Sequence, residues 1–262
     1  MRIRTILALA AVAVAPLPAQ LAPQNAAGVT FSHVHLNVTD IDAQKRFWIQ
    51  LGGTPVTSQD RQIMRFPGVY VYLRKQNPTS GTVGSVVNHF GLRVKNIDEW
   101  IAKWKAAGLK VEPTDNPKQC FLAAPDNIRV EIIEDATIAA PIAMGHIHMF
   151  VADPLAVQAW YVKQFGATAG KRRQFDTATV PGTEITFSKS EPQAPTRGRS
   201  LDHFGFEVKN VDQLVKKLEE DGIKLDPPGI RDGGILRFAN FTDPWGTYLE
   251  VTEGLPPCIE CP

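Results

Sequence analysis

The feature that most restricts the fold is an internal repeat. Twenty-six residues from Asn88, NHFGLRVKNIDEWIAKWKAAGLKVEP, align without a gap with DHFGFEVKNVDQLVKKLEEDGIKLDP from Asp202. A second pair of segments matches in the same way, SHVHLNVTD from Ser32 and GHIHMFVAD from Gly145. His33 lies 113 positions before His146 and His89 lies 114 before His203, so two halves of similar size follow one another. They are expected to span 30–135 and 143–254, joined by a linker at 136–142.

Each half divides again. An opening apolar stretch carrying histidine is followed by an Asp or Asn able to cap a helix, then by an amphipathic run closed by glycine. Trp100, Ile101, Trp104 and Ala107 recur at helical spacing before Gly108, and Val211, Leu214, Val215 and Leu218 before Gly222. The segments AQKRFWIQLGG and AVQAWYVKQFGA behave alike in the other two modules. β-Branched stretches broken by Gly, Pro, Asn and Asp then read as strands and turns. The expected chain is α+β, with four βαβββ modules in sequence. At 262 residues and 44% hydrophobic content it can bury a substantial core.

The chain has six histidines, and their placement is not random. A strand alternates its faces, so His33, His35 and Asn37 point one way while Val34, Leu36 and Val38 point the other. The same separation holds for His89, for His146 with His148, and for His203. Near the end of each half, PDNIRVEIIE and DPWGTYLEVTE each place one glutamate, Glu131 or Glu250, between apolar neighbours. A carboxylate in a buried strand is costly unless paired, and a divalent cation shared with two histidines supplies the partner. Two imidazoles and one carboxylate around open positions suit Fe(II) and also accept Mn(II), Zn(II) and other divalent ions.

The fourfold module, the opening H-x-x-L-x-V-x-D, the NHFGLRV and DHFGFEV strands and the closing D-P-x-G-x-x-x-E together resemble the vicinal oxygen chelate superfamily. That superfamily includes glyoxalase I, fosfomycin-resistance thiol transferases, extradiol dioxygenases and metal-free bleomycin-resistance binding proteins. The resemblance covers about residues 31–253. It implies two glyoxalase/dioxygenase-like domains with cupped mixed sheets and a divalent metal cofactor, Fe, Mn, Zn or Ni. Carried over position by position, the metal ligands are His33, His89 and Glu131 in the first half and His146, His203 and Glu250 in the second. If modules exchange partners between halves, His33 instead joins His203 and Glu250, while His146 joins His89 and Glu131. Both pairings stay open at this point. His35 and His148, two residues beyond presumed ligands, are candidates for a general base or for alternative ligands.

Two departures narrow the implied chemistry. Glyoxalase I has a fourth ligand, a glutamate on the last strand of its odd-numbered modules. The matching positions here are Tyr72 and Thr186, with Glu184 on the same face as Thr186 as the available carboxylate. Extradiol enzymes place a tyrosine three residues before the D-P motif, where this chain has Asn240. The expectation is a metal-dependent enzyme acting on a small molecule through two vicinal oxygens, a lyase or isomerase of the glyoxalase type. The alternatives are an Fe(II) extradiol-type dioxygenase and a non-enzymatic binding protein of the bleomycin-resistance kind.

Charge excludes other partners. Lysine and arginine total 28 against 27 acidic residues, so no general field attracts nucleic acid or an anionic membrane. The first twenty residues, MRIRTILALAAVAVAPLPAQ, place Arg2 and Arg4 before an apolar run from Thr5 to Ala15 and small residues near Ala19. This reads as a cleaved secretory signal peptide over 1–20, giving a secreted or periplasmic protein with no integral membrane span. Export permits a local disulfide between Cys258 and Cys261, while Cys120 is expected to be buried. Lys171, Arg172 and Arg173 read as a solvated turn.

Overall fold

Each helix starts where the sequence places its cap. In a computed structural model, which describes residues 21–234, 236–256 and 259, the side chains of Asp40, Asn96, Asp153 and Asn210 each accept a hydrogen bond from a backbone N–H in the first helical turn. Such caps contribute about 1 kcal/mol each. The signal-peptide segment 1–20 and the Cys258 and Cys261 pair lie outside the described residues.

The four modules follow the expected order. The first comprises β1 (Val29–Val38), α1 (Ile41–Leu51), β2 (Thr54–Ser58), β3 (Arg61–Phe66) and β4 (Val69–Lys75). The second comprises β5 (Val87–Val94), α2 (Ile97–Ala106), β6 (Val111–Pro113), β7 (Gln119–Ala124) and β8 (Ile128–Glu134). The third runs through β9 (Ile142–Val151), α3 (Pro154–Phe165), β10 (Thr168–Arg172), β11 (Phe175–Val180) and β12 (Thr183–Lys189). The fourth runs through β13 (Leu201–Val208), α4 (Val211–Glu220), β14 (Arg231–Asp232), β15 (Arg237–Thr242) and β16 (Tyr248–Glu253).

The modules pair across the halves. One eight-stranded sheet has the order β14-β15-β16-β13-β1-β4-β3-β2, and the other β10-β11-β12-β9-β5-β8-β7-β6. Each sheet therefore takes one module from each half, with the two opening strands antiparallel at its centre. Residues 136–142, expected to link two domains, instead connect two modules of one sheet. The reason lies in the connections: only a short turn separates β8 from β9, whereas β4 to β5 and β12 to β13 cross between sheets. The two crossing loops hold each other through backbone bonds, Thr79 N to Gly198 O (2.8 Å), Ser200 N to Ser80 O (2.9 Å) and Val86 N to Ala194 O (2.9 Å).

One hydrophobic core runs through both sheets and all four helices. Trp48 of α1 stacks on Phe90 of the opposite sheet at 5.8 Å, and Phe165 of α3 lies 4.3 Å from Phe206. Val34, Leu36, Phe204 and Phe206 are fully buried in this core, so the histidine-bearing faces turn away from it. Trp104 is buried as expected, and Trp100 is half-buried beside it. Cys120 is buried and free. No helix among the described residues is long and apolar enough to cross a membrane.

Glu207 on β13 ties down the chain beyond β16. It accepts hydrogen bonds from Thr252 Oγ1 (2.6 Å), Gly254 N (2.9 Å) and Leu255 N (3.1 Å). Burial pushes its carboxyl from 4.5 up to about 7, so the folded chain keeps a proton that the unfolded chain releases. Stability from this group is full below the unfolded value and is lost as pH rises through the folded one. Denaturant unfolding followed between pH 4.5 and 7 is expected to show that decline, and Glu207→Gln, which stays neutral, is expected to flatten it.

Candidate metal centres

Two four-residue clusters form, one per sheet. Register places Gly205 of β13 between His33 of β1 and Glu250 of β16, and Gly91 of β5 between His146 of β9 and Glu131 of β8. Adjacent strands lie about 4.8 Å apart, so side chains from the two flanking strands can meet only above a residue with nothing in the way. Glycine provides that gap. A Cβ on Gly205 would overlap the His33 ring, and a Cβ on Gly91 the His146 ring. The glycine of each H-F-G motif is therefore part of the site, although it bears no ligand atom.

The first cluster comprises His33, His35, His203 and Glu250, and the second His89, Glu131, His146 and His148. Within each, one ligand atom per residue lies within 4.8 Å of all the others. The pairing that exchanges modules between halves is the one formed. His33 Nε2 is 3.3 Å from Glu250 Oε1 and His203 Nε2 is 3.7 Å from Oε2. In the other sheet, His89 Nε2 and His146 Nε2 each lie 2.8 Å from Glu131 Oε2.

The residue preceding three of these histidines orients the ring. Ser32 donates its hydroxyl proton to Gly205 O (3.1 Å), so toward His33 Nδ1, 2.9 Å away, its oxygen accepts. Asn88 Oδ1 accepts from His89 Nδ1 at 2.9 Å, and Asp202 Oδ1 from His203 Nδ1 at 2.6 Å. A neutral imidazole whose Nδ1 donates carries its lone pair on Nε2. In the first cluster the lone pairs of His33 and His203 thus face a carboxylate. Both Nε2 atoms are buried without a hydrogen-bond partner.

Such an arrangement requires positive charge. Burial alone would raise Glu250, yet its contact with His33 and the nearby His203 hold it below the usual carboxylate range; Glu131 is held down likewise by His146 and His89. A proton could supply the charge, but burial lowers His33 and takes His89 down to about 4, so these rings resist protonation. A divalent cation supplies it without a proton, and ring N–H groups held by neighbours are the usual support for metal-binding histidines. The donor set, the orphaned nitrogens and the glycine gap all fit a metal ion.

The clusters differ in access. The first opens into a cavity of about 220 Å³, lined among others by His33, His35, Tyr72, His203, Tyr248 and Glu250. His35 is stacked between Tyr72 (4.5 Å) and His203 (4.3 Å), and burial drives its imidazole well below the ordinary range. All four members of the second cluster are buried. Phe121 lies 5.4 Å from His89 with the Arg129 guanidinium 3.7 Å above it, and Phe175 lies 5.3 Å from His148. His148 Nε2 bonds Ser188 Oγ at 2.8 Å, and Gln119 Nε2 donates to Glu131. The two clusters thus offer the same number of ligand residues and differ in burial.

Glu184 does not join either cluster. Its Oε1 accepts from Arg172 Nε (2.6 Å) and Thr186 Oγ1 (3.1 Å), so an arginine holds the carboxylate off the ligand group. Of the three basic residues read as a solvated turn, Lys171 and Arg172 instead end β10, Lys171 pairing with Asp176 and Arg172 with Glu184, and Arg173 alone lies in the turn. Tyr72 and Tyr248 line the cavity, whereas the Tyr70 hydroxyl accepts from Ile259 N. Gly91, Gly205, Ser32, Asn88 and Asp202 were legible signals that the strand-face reading passed over, since all sit in the quoted motifs.

Residues 143–251 match the sequence profile of the Glyoxalase/Bleomycin resistance protein/Dioxygenase superfamily. The fold is shared more widely. Glyoxalase I from Zea mays superimposes with a TM-score of 0.69 at 16% identity, covering 86% of this chain and 92% of that one. A protein from Bacillus subtilis subsp. subtilis str. 168, named provisionally as a dioxygenase, superimposes with a TM-score of 0.63 at 14% identity, covering 86% and 85%. The family match thus lies in the second half of the chain, and the fold likeness extends over most of it. No curated protein sequence matches the chain. Likeness at these identities speaks to architecture alone.

The glycine gap gives a quantitative expectation. Gly205→Ala is expected to cost about 1–3 kcal/mol, the usual price of overpacking. In a His33→Ala background that cost is expected to fall, because the overlapping ring is gone and only the tight approach to the Glu250 backbone oxygen remains. Urea unfolding of the four proteins in this cycle measures the coupling; an equal cost in both backgrounds contradicts the account.

Proposed function

We propose that this chain is an exported, metal-dependent enzyme that acts on a small molecule at the open cluster, with lyase or isomerase chemistry. The observation that carries the reading is the pair of orphaned Nε2 atoms, from His33 and His203, converging with Glu250 at the wall of a cavity. His33, His203 and Glu250 would hold the ion. When bound, a divalent metal acts as a Lewis acid that polarises paired oxygens of a small molecule.

The chain's own residues do the rest. Ser32 and Asp202 fix the rings of His33 and His203, so the ligand geometry exists before any ion arrives. Asn240 Nδ2 donates to Glu250 Oε2 at 3.1 Å and steadies the carboxylate. His35, held neutral by burial, lines the same cavity and is the nearest imidazole outside the proposed ligand set for moving a proton. Tyr72 and His203 hold its ring between them. The closed cluster of His89, Glu131, His146 and His148 serves as a structural ion site. Export rests on the composition of residues 1–20.

Oxygen activation at iron(II) is the second reading. The two-histidine, one-carboxylate set favours it.

Metal stoichiometry on the purified chain is expected to reach two ions. Glu250→Gln is expected to lose the open-cluster ion and activity, and Glu131→Gln to lose the other ion and stability. Solvent deuterium incorporation into a panel of small hydroxy and oxo acids, read by NMR, tests proton transfer. His35→Ala is expected to slow exchange by about 10²–10⁴ with metal content unchanged. Oxygen uptake by the iron form, with no deuterium exchange, supports the second reading and contradicts the first.

A further inference from the structure

The cavity over the open cluster carries more positive charge than its own residues neutralise. Three arginines line it: Arg61, Arg74 and Arg231. Arg74 is accounted for, with Nη2 3.4 Å from Asp202 and Nε donating to Asn37 Oδ1 at 2.8 Å. Neither Arg61 nor Arg231 takes part in an ion pair among the described residues. Arg231 donates one bond, from Nη2 to Asn240 Oδ1 at 2.7 Å, and lies 4.8 Å over the Phe238 ring. Its Nε is buried with no acceptor. A buried N–H left without an acceptor is destabilising, more so when charged, and an incoming oxygen relieves that cost.

Position makes these two groups a pair. β14 is one edge strand of the sheet and β3 lies next to the other edge, so Arg231 and Arg61 come from opposite sides of the sheet to line one cavity, whose floor is the ligand histidines of the central strands. In the second sheet, Phe175 on β11 stands where Arg61 stands on β3, and there it packs against His148. At this position the open cluster has a cation where the buried cluster has an aromatic ring.

We propose that the cavity binds a small organic anion whose oxyanion group, a carboxylate or a phosphoryl group, is held by Arg61 and Arg231 while its remaining oxygens face His33, His203 and Glu250. The second half of this assignment rests on the metal-centre reading above; the first does not. Guanidinium groups suit this task because their N–H forks match the oxygens of carboxylates and phosphoryl groups. Size limits the ligand as well. A cavity of about 220 Å³ is below the ~300–1,000 Å³ of pockets for drug-sized molecules, so the anion is short.

Calorimetric titration of the full chain, metal-free and loaded with Mn(II), with oxalate, methylphosphonate and neutral ethylene glycol tests the proposal. Oxalate or methylphosphonate is expected to bind and ethylene glycol not to; the tighter of the two anions identifies the oxyanion class. Arg61→Met and Arg231→Met are each expected to weaken that anion at least about tenfold. Arg231→Lys, which keeps the charge and loses the fork, is expected to fall between. Thermal melting confirms that each variant is folded. Anion binding in the metal-free chain that still depends on both arginines supports the clamp even if the metal reading fails. Unchanged affinity in the folded methionine variants, or no binding of either anion in either form, overturns it.

Discussion

Electron pairs that face each other in a buried space are the constraint on which the rest of the site depends. His33 and His203 present Nε2 lone pairs toward the carboxylate of Glu250, and burial discourages the proton that would otherwise relieve His33. Everything around the cluster serves to keep these groups in place. Gly205 removes the side chain that would separate them, Ser32 and Asp202 fix the rings, and Asn240 steadies the carboxylate. The cross-half pairing of β1 with β13 is what brings these residues into one sheet.

Duplication produced two such clusters, and their surroundings have made them different. In one sheet aromatic rings, one of them capped by Arg129, pack against the imidazoles. In the other, the corresponding space is a cavity edged by arginines. The same ligand arrangement thus stands in a dry, closed setting and in an open, cationic one. The second lies at the wall of a cavity of about 220 Å³. Coordination geometry alone does not distinguish them; the residues one strand away do.

Much of this was legible in the chain itself. Helix caps at Asp40, Asn96, Asp153 and Asn210, the alternation that turns every histidine to one face, and the matching Glu131 and Glu250 all follow from local periodicity. The choice of sheet partners does not, because register between strands over a hundred residues apart depends on crossing loops and on the glycine gaps. Glu184 misled for a related reason: it shares a strand face with the site, but Arg172, on a neighbouring hairpin, holds it away. Arg61 and Arg231 come from strands near opposite edges, and only the curvature of the finished sheet puts them in one cavity.

An anomalous-scattering crystal structure of the Mn(II)- or Zn(II)-loaded chain tests the central claim most directly. The account predicts an ion within about 2.0–2.2 Å of His33 Nε2, His203 Nε2 and a Glu250 oxygen. Saturating metal with no anomalous peak among those atoms, and the imidazoles still at their present distances from the carboxylate, would contradict it.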